Sequence, residues 1–370
     1  MSARTSDIPI LRTSERGAFK RCVWRWEREY EEGWRPAIRQ ADAAWFGIGI
    51  HEALAQWYQR GMRRGQHPAA FFADWVGDEI AYARSYLGEN FEDGVWLDAK
   101  DLGIAMMEGY VDHYGRDRSW HIIATERPFR IIIKRKGKPV AIFQSRWDGV
   151  LRSKADGRVY LLESKTTAQI TLPYLEIDDQ GGSYFAVAST ILRAEGVLKP
   201  DEVIAGIIYN FMRKAMPDER PRNRAGQCLN MPTKNHYVAA ILSGTNGWTP
   251  ERLRKMKVED LAGLAAAHDI VVEGDVSKSQ PSPLFVREIV ERTPSEQRRQ
   301  LDRIADEVEV MNAVRAGIIP VTKTPTKDCP KCPFWLPCTL DERGSRGAFR
   351  SVMDADYIQI DPYEDTRKSA

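Results

Sequence analysis

An α/β fold is expected for this 370-residue chain, with a small sheet framed by helices. Three observations carry that expectation. Apolar residues recur at spacings of three and four through the first third of the chain. Short segments rich in β-branched residues then replace that rhythm between Ile122 and Thr166. Helical spacing returns from about Gly181. Helices, then strands, then helices describe a sheet core with a helical elaboration.

In order along the chain, residues 12 to 30 read as a helix that sets Arg21, Arg25 and Arg28 on one face. Gly47 and Gly49 precede a helix from about Ile50 to Arg60, and 69–88 and 98–115 read as two more. Ile122 to Ile133, Val140–Arg152 and Arg158–Thr166 are expected strands, followed by a helix over Gly181–Ala194. Val203–Phe211 is a further strand. Residues 213–235 form a polar loop carrying Arg213, Lys214, Arg220, Arg222, Arg224 and Lys234. Leu284–Val290 reads as a strand and Ser295–Ala316 as a helix. The expected division is a helical region 1–120, a core 121–320 with the basic loop at 213–235, a cysteine cap 321–345, and a flexible tail 346–370, acidic at Asp354, Asp356, Asp361, Glu364 and Asp365.

A hydrophobic content of 43% supports a sizeable core. The formal net charge is +2, so any nucleic-acid footprint must be local. No apolar run is long enough to span a bilayer, and the N-terminus lacks a signal peptide's apolar stretch; a cytoplasmic protein with no membrane partner is expected. Five cysteines, an odd count, argue against a disulfide framework.

The chemistry concentrates in Ser145-Arg146-Trp147-Asp148-Gly149 and Leu161-Leu162-Glu163-Ser164-Lys165. Both stretches read as strands, and Lys154-Ala155-Asp156-Gly157 is a turn signal between them. A regular hairpin centred between Ala155 and Asp156 puts Asp148 directly opposite Glu163, with Lys165 on the same face. Two adjacent carboxylates repel unless a cation lies between them, and hard oxygen ligands suit Mg²⁺ or Mn²⁺. The alternative is an ordinary cross-strand pair neutralised by Lys165.

Cys329, Cys332 and Cys338 form C-x-x-C-x5-C. Soft metals in tetrahedral sites want four sulfur ligands. Cys22 is the expected fourth, with Cys228 as the other possibility. Spacing alone leaves zinc and an iron–sulfur cluster both open.

The constellation resembles the PD-(D/E)XK nuclease superfamily and its RecB-like branch. Asp148 matches the first acidic residue, Glu163-Ser164-Lys165 the E-x-K, Gln180-Gly181-Gly182-Ser183-Tyr184 the following Q-x-x-x-Y, and Gly49-Ile50-His51-Glu52 the branch's histidine motif. The resemblance implies a restriction-endonuclease-like mixed sheet. It implies a metal held by His51, Asp148, Glu163 and the Ser164 carbonyl, with Lys165, Gln180 and Tyr184 around it. One N-terminal cysteine and a C-terminal trio resemble the iron–sulfur nucleases of that branch. There a [4Fe-4S] cluster on the counterparts of Cys22, Cys329, Cys332 and Cys338 joins the chain ends.

The implied function is exonuclease action on DNA, single-stranded or with free ends, in phage or bacterial recombination or repair. No Walker A motif is present, so a helicase or recombination partner is expected to supply any motor. A non-catalytic DNA-binding or scaffolding protein is the alternative. Three basic features are candidate DNA contacts: the Arg21, Arg25 and Arg28 helix with Trp24 and Trp26, the 213–234 loop, and Lys323 with Lys327.

Overall fold

A computed structural model of the chain describes residues 8–38, 41–88 and 91–364. A short strand, β1 (Ile10–Leu11), leads into α1 (Thr13–Arg21). The backbone breaks at Cys22, which is extended at φ −164° and ψ 113°. It resumes as α2 (Val23–Trp26) and winds into a wide π-helical turn over Glu27–Glu31. The expected single helix over 12–30 is therefore broken, and Arg21 leaves the helical register of Arg25 and Arg28. The basic face is also neutralised. Arg25 pairs with Glu29 at 2.8 Å, and Arg28 pairs with Glu27 and Glu32. Trp24 and Trp26 are buried, so neither offers a ring to a base.

After β2 (Trp34–Pro36) come α3 (Ala43–Trp57), α4 (Pro68–Leu87) and α5 (Gly94–Tyr114), packed on one another. The Asp42 side chain starts α3 by accepting from the Ala44 and Trp45 amides. Gly47 and Gly49 thus lie inside a helix, where a turn was expected. Close packing accounts for Gly49: a Cβ there would lie 2.5 Å from Trp75 and 2.8 Å from Phe72. Gly103 meets the other side of the same Phe72 ring, at 2.0 Å from a built Cβ.

The main sheet is mixed. β3 (Trp120–Arg135) and β4 (Lys138–Ser153) form a long antiparallel hairpin, and β4 continues antiparallel to β5 (Val159–Thr167). Helix α6 (Asp179–Ala194) crosses over to β6 (Ile204–Arg213), parallel to β5. β1 pairs parallel to β4 at Ile142 and Phe143. The core beneath holds Phe129, Phe143, Trp147, Tyr184 and Tyr209.

The expected polar loop at 213–235 proves to be the start of a separate compact unit, residues 216–284. It contains α7 (Lys234–Gly244), α8 (Pro250–Lys255) and α9 (Val258–Ala267) around Val238, Ile241, Leu253, Leu261 and Ala265. The chain returns to the first unit through β7 (Phe285–Glu291), antiparallel to β6, and α10 (Pro294–Arg315), which packs on α6. α11 (Trp335–Glu342) and α12 (Arg346–Asp356) follow.

The segment expected as a flexible tail is built into the fold as far as Glu364. α12 buries Met353, and β8 (Tyr357–Gln359) pairs antiparallel to β2. The Tyr363 hydroxyl donates to buried Glu15 at 2.7 Å. Asp354, Asp356 and Asp361 sit between the anchors Met353 and Tyr363. The rest of that tail, 365–370, lies outside the described residues.

Gly to Ala inside a helix ordinarily stabilises by up to about 1 kcal/mol. Gly103→Ala is expected to reverse that sign and cost about 1–3 kcal/mol through the clash with Phe72, measured by urea unfolding.

Candidate active site

The β4–β5 ladder runs from Arg152↔Val159 to Gly149↔Leu162 and stops there. The register is the one the turn signal implied, closed by Gly157 at φ +73° and by the Ser153 amide donating to the Arg158 carbonyl. Asp148 and Glu163 are the next residues along, at the open end. From Glu163 onward β5 is held by β6 instead, with Glu163↔Tyr209 and Lys165↔Phe211 in register. Asp148 bridges the gap: its Oδ2 accepts from the Ser164 backbone amide at 2.6 Å.

His51, on α3, directs Nδ1 to the other Asp148 oxygen at 3.3 Å. A third group joins them that the sequence reading missed. Glu126, on β3, lies between the register pairs Thr125↔Gly149 and Arg127↔Trp147, level with Asp148. One potential ligand atom each from His51, Glu126 and Asp148 lies within 4.8 Å of the other two, and Ser164 lines the same pocket. The one sequence signal near Glu126, the Lys136-Gly137 turn, both residues of which have positive φ, does not by itself place it. A regular ladder from that turn places Glu126 opposite Trp147. A bulge between Ile133 and Lys134 shifts the register by one and brings Glu126 level with Asp148.

The electrostatics are those of acids short of positive charge. Burial and then Asp148 push the Glu126 carboxyl up to about 7. Glu163, whose side chain is 2% exposed, is also raised, by burial first and by Asp148 against the opposing pull of Lys165. Burial alone would lower His51, but Asp148, Glu163 and Glu126 hold it up at about 9. Glu163 Oε2 is buried with no hydrogen-bond partner among the described residues. A divalent cation fits this set: it would take the imidazole nitrogen and carboxylate oxygens as ligands and satisfy the unpaired oxygen.

Lys165 meets Glu163 Oε1 at 2.9 Å and donates to Gln180 Oε1 at 2.8 Å. Burial would depress its pKa, yet Glu163 and then Asp178 outweigh it and hold Lys165 above its ordinary value. Asp178 caps α6 through the Gly181 amide, and its Oδ2 also accepts from the Tyr209 hydroxyl at 3.0 Å. Tyr184, one turn after Gln180, is buried and shares a hydrogen bond with Ser145 at 3.0 Å. A buried network lies behind Ser164. The Asn210 amide donates to Ser164 Oγ at 3.3 Å and to the Tyr110 hydroxyl at 3.1 Å. Arg287 fixes that orientation by donating to Asn210 Oδ1 at 3.2 Å while pairing with Asp117 at 2.7 Å.

The model of the PD-(D/E)XK nuclease superfamily matches residues 14–339. The chain belongs to the PD-(D/E)XK nuclease superfamily. A search of curated proteins gave no match. Nucleases of the PD-(D/E)XK superfamily typically use Mg²⁺ or Mn²⁺, and the acid cluster with His51 is a possible site for such an ion. The mixed sheet flanked by helices is the restriction-endonuclease-like core expected of a PD-(D/E)XK nuclease. No helix among the described residues is long and apolar enough to cross a membrane.

At the far end of this nuclease chain, the Trp24 amide donates to the Thr322 carbonyl at 3.0 Å. Trp24 meets the Phe334 ring edge-on at 6.4 Å. Cys22 is thereby carried to the C-terminal trio: burial first, and Cys22 among the neighbouring groups, raises both Cys332 and Cys338. Cys228 is buried in the 216–284 unit, where its amide donates to Gln280 at 2.8 Å. Lys323 is occupied by Asp341 at 2.5 Å and Glu342 at 3.0 Å.

The raised His51 sets a pH dependence for the metal-free protein. A group whose folded pKa exceeds its unfolded value stabilises fully below about 6.5 and loses that contribution as pH rises through about 9. Glu126, also raised, acts in the same direction below it. The metal-free melting temperature is expected to fall from pH 6.5 to 9, and His51→Gln to flatten the fall. Mn²⁺, competing with the proton, should raise the melting temperature more at pH 9 than at pH 6.5.

Proposed function

We propose that this PD-(D/E)XK protein is a metal-dependent deoxyribonuclease acting on DNA ends, with a [4Fe-4S] cluster tying its termini together. The observation that carries the hydrolytic part is the meeting of His51, Glu126 and Asp148 beside the unpaired Glu163 oxygen, with Lys165 held 2.9 Å from Glu163. His51, Asp148, Glu163 and the Ser164 carbonyl would hold the ion, and Glu126 joins them as a direct or water-mediated ligand. When bound, the ion supplies Lewis-acid polarisation of the phosphate and a lowered water pKa.

The chain's own groups do the rest. Lys165, held beside Glu163, is placed to donate hydrogen bonds to the attacking oxygen and to the developing phosphorane charge. Gln180 fixes the ammonium of Lys165, and Asp178 fixes the helix start that carries Gln180. Tyr184 holds the β4 edge at Ser145. Action on ends, in recombination or repair, rests on the resemblance to RecB-like exonucleases.

The cluster reading rests on the chain ends. Cys22, Cys329, Cys332 and Cys338 are the mutually interacting thiols of this region.

Lys165→Ala and Glu163→Gln are each expected to reduce Mn²⁺-dependent release of labelled nucleotides from DNA ends by about 10²-fold or more, with melting temperatures unchanged to within a few degrees. Equal digestion by wild type and Lys165→Ala would remove the assignment. Anaerobically purified protein should carry about four irons per chain and a broad visible band, and Cys22→Ser should lose both.

A further inference from the structure

The 216–284 unit carries a ridge of charge that the active site does not use. Residues 252 to 257 are Arg-Leu-Arg-Lys-Met-Lys. Leu253 is fully buried, against Ile241, Leu261 and Ala265. Packing that one side chain inward turns its neighbours out: Arg252, Arg254, Lys255 and Lys257 are all exposed. Among the described residues none of the four pairs with a carboxylate. Arg252 lies over the Trp248 ring at 4.6 Å, which holds its guanidinium in place. Lys234 adds a fifth cation beside them by donating to the Arg254 carbonyl at 2.9 Å. Asp260, on α9, is turned back onto the Lys257 amide as a cap, while Glu251 and Glu259 flank the ridge without forming an ion pair to it among the described residues.

Four of the basic groups that the sequence offered as DNA contacts behave differently. Arg25, Arg28, Arg220 and Lys323 each face a carboxylate within hydrogen-bond distance. A cation already paired gains little from a phosphate, because it must give up its partner. Four uncompensated cations in six residues, on a rigid anchor, are instead free to exchange condensed counterions from a polyanion.

We propose that the Arg252–Lys257 ridge is a second DNA contact, one that holds the phosphodiester backbone without regard to sequence. The proposal rests on the deoxyribonuclease reading only for the identity of the polyanion. The ridge offers four cations beside a half-buried Trp248 whose ring Arg252 overlies, so backbone charge is what it recognises.

The test uses the full chain in the Lys165→Ala background, so that binding is read without cutting. Anisotropy of a labelled oligonucleotide of about 30 nucleotides, single- or double-stranded, is followed against salt. Replacing Arg252, Arg254, Lys255 and Lys257 all by Gln should lower the slope of log K against log salt by about 3 and weaken binding at least about tenfold. A charge-retaining variant, R252K/R254K/K255R/K257R, should bind as the parent does, which separates charge from any change in folding. Unchanged affinity and slope in the Gln variant, or equal loss in the charge-retaining one, overturns the proposal. A wild-type protein that binds through the ridge but cuts no DNA with Mn²⁺ removes the nuclease reading and leaves this one standing.

Discussion

Everything at the centre of this molecule answers one electrostatic constraint: Asp148, Glu163 and Glu126 are gathered in a poorly solvated corner with too little positive charge beside them. Raised carboxyls at Glu126 and Glu163, a protonated His51 and an unpaired Glu163 oxygen are four expressions of that shortage. Left to themselves these acids would take up protons or move apart. They are kept together by backbone: the end of the β4–β5 ladder, the bulge in β3, and the α3 helix that brings His51 across. A divalent cation would relieve that shortage, and a PD-(D/E)XK nuclease is a protein in which such a cation has work to do.

Support for the site comes from behind and from the side. Behind Ser164, Asn210 can point its amide only one way, because Arg287 claims its oxygen, and Arg287 is fixed in turn by Asp117 and by the Tyr58 and Tyr110 hydroxyls. A fully satisfied buried network of this kind holds one arrangement against its alternatives. To the side, Gln180 and Asp178 anchor Lys165 through α6, whose own start is tied to α1 and α10 by Arg16, Asp179 and Glu307. The segment that carries Cys22 and the segment that carries the catalytic brace are therefore neighbours in one packed layer.

The chain ends show how a local break serves a distant contact. A continuous helix over 12–30 would have kept its arginines in register. The extended backbone at Cys22 interrupts it and sets Trp24 against Phe334 and the Thr322 carbonyl. Arg25 and Arg28, which looked like a DNA surface on that helix, are consumed by Glu27, Glu29 and Glu32. A run of cations without a carboxylate partner among the described residues sits instead on α8 and just after it, in the inserted unit.

The sequence alone determined the β4–β5 hairpin, its register, and the gathering of Asp148, Glu163 and Lys165 at one place, while Gln180 and Tyr184 were placed beside them only by the family resemblance. The hairpin and its register follow from local rules: a turn signal fixes which residues face, and period two fixes which side they occupy. The long helices were legible for the same reason, because their periodicity is carried within each segment. Glu126, Asn210 and Arg287 were not legible. Glu126 depends on a one-residue bulge with no sequence signature, and the other two on which strands lie next to one another across long crossovers. The inserted unit escaped for a related reason: its core is five small contributions spread over three short helices, too few in any window to raise a period. Partnership between charges was likewise undecidable from the chain, since an arginine's neighbours in space, and not in sequence, settle whether it is neutralised or free.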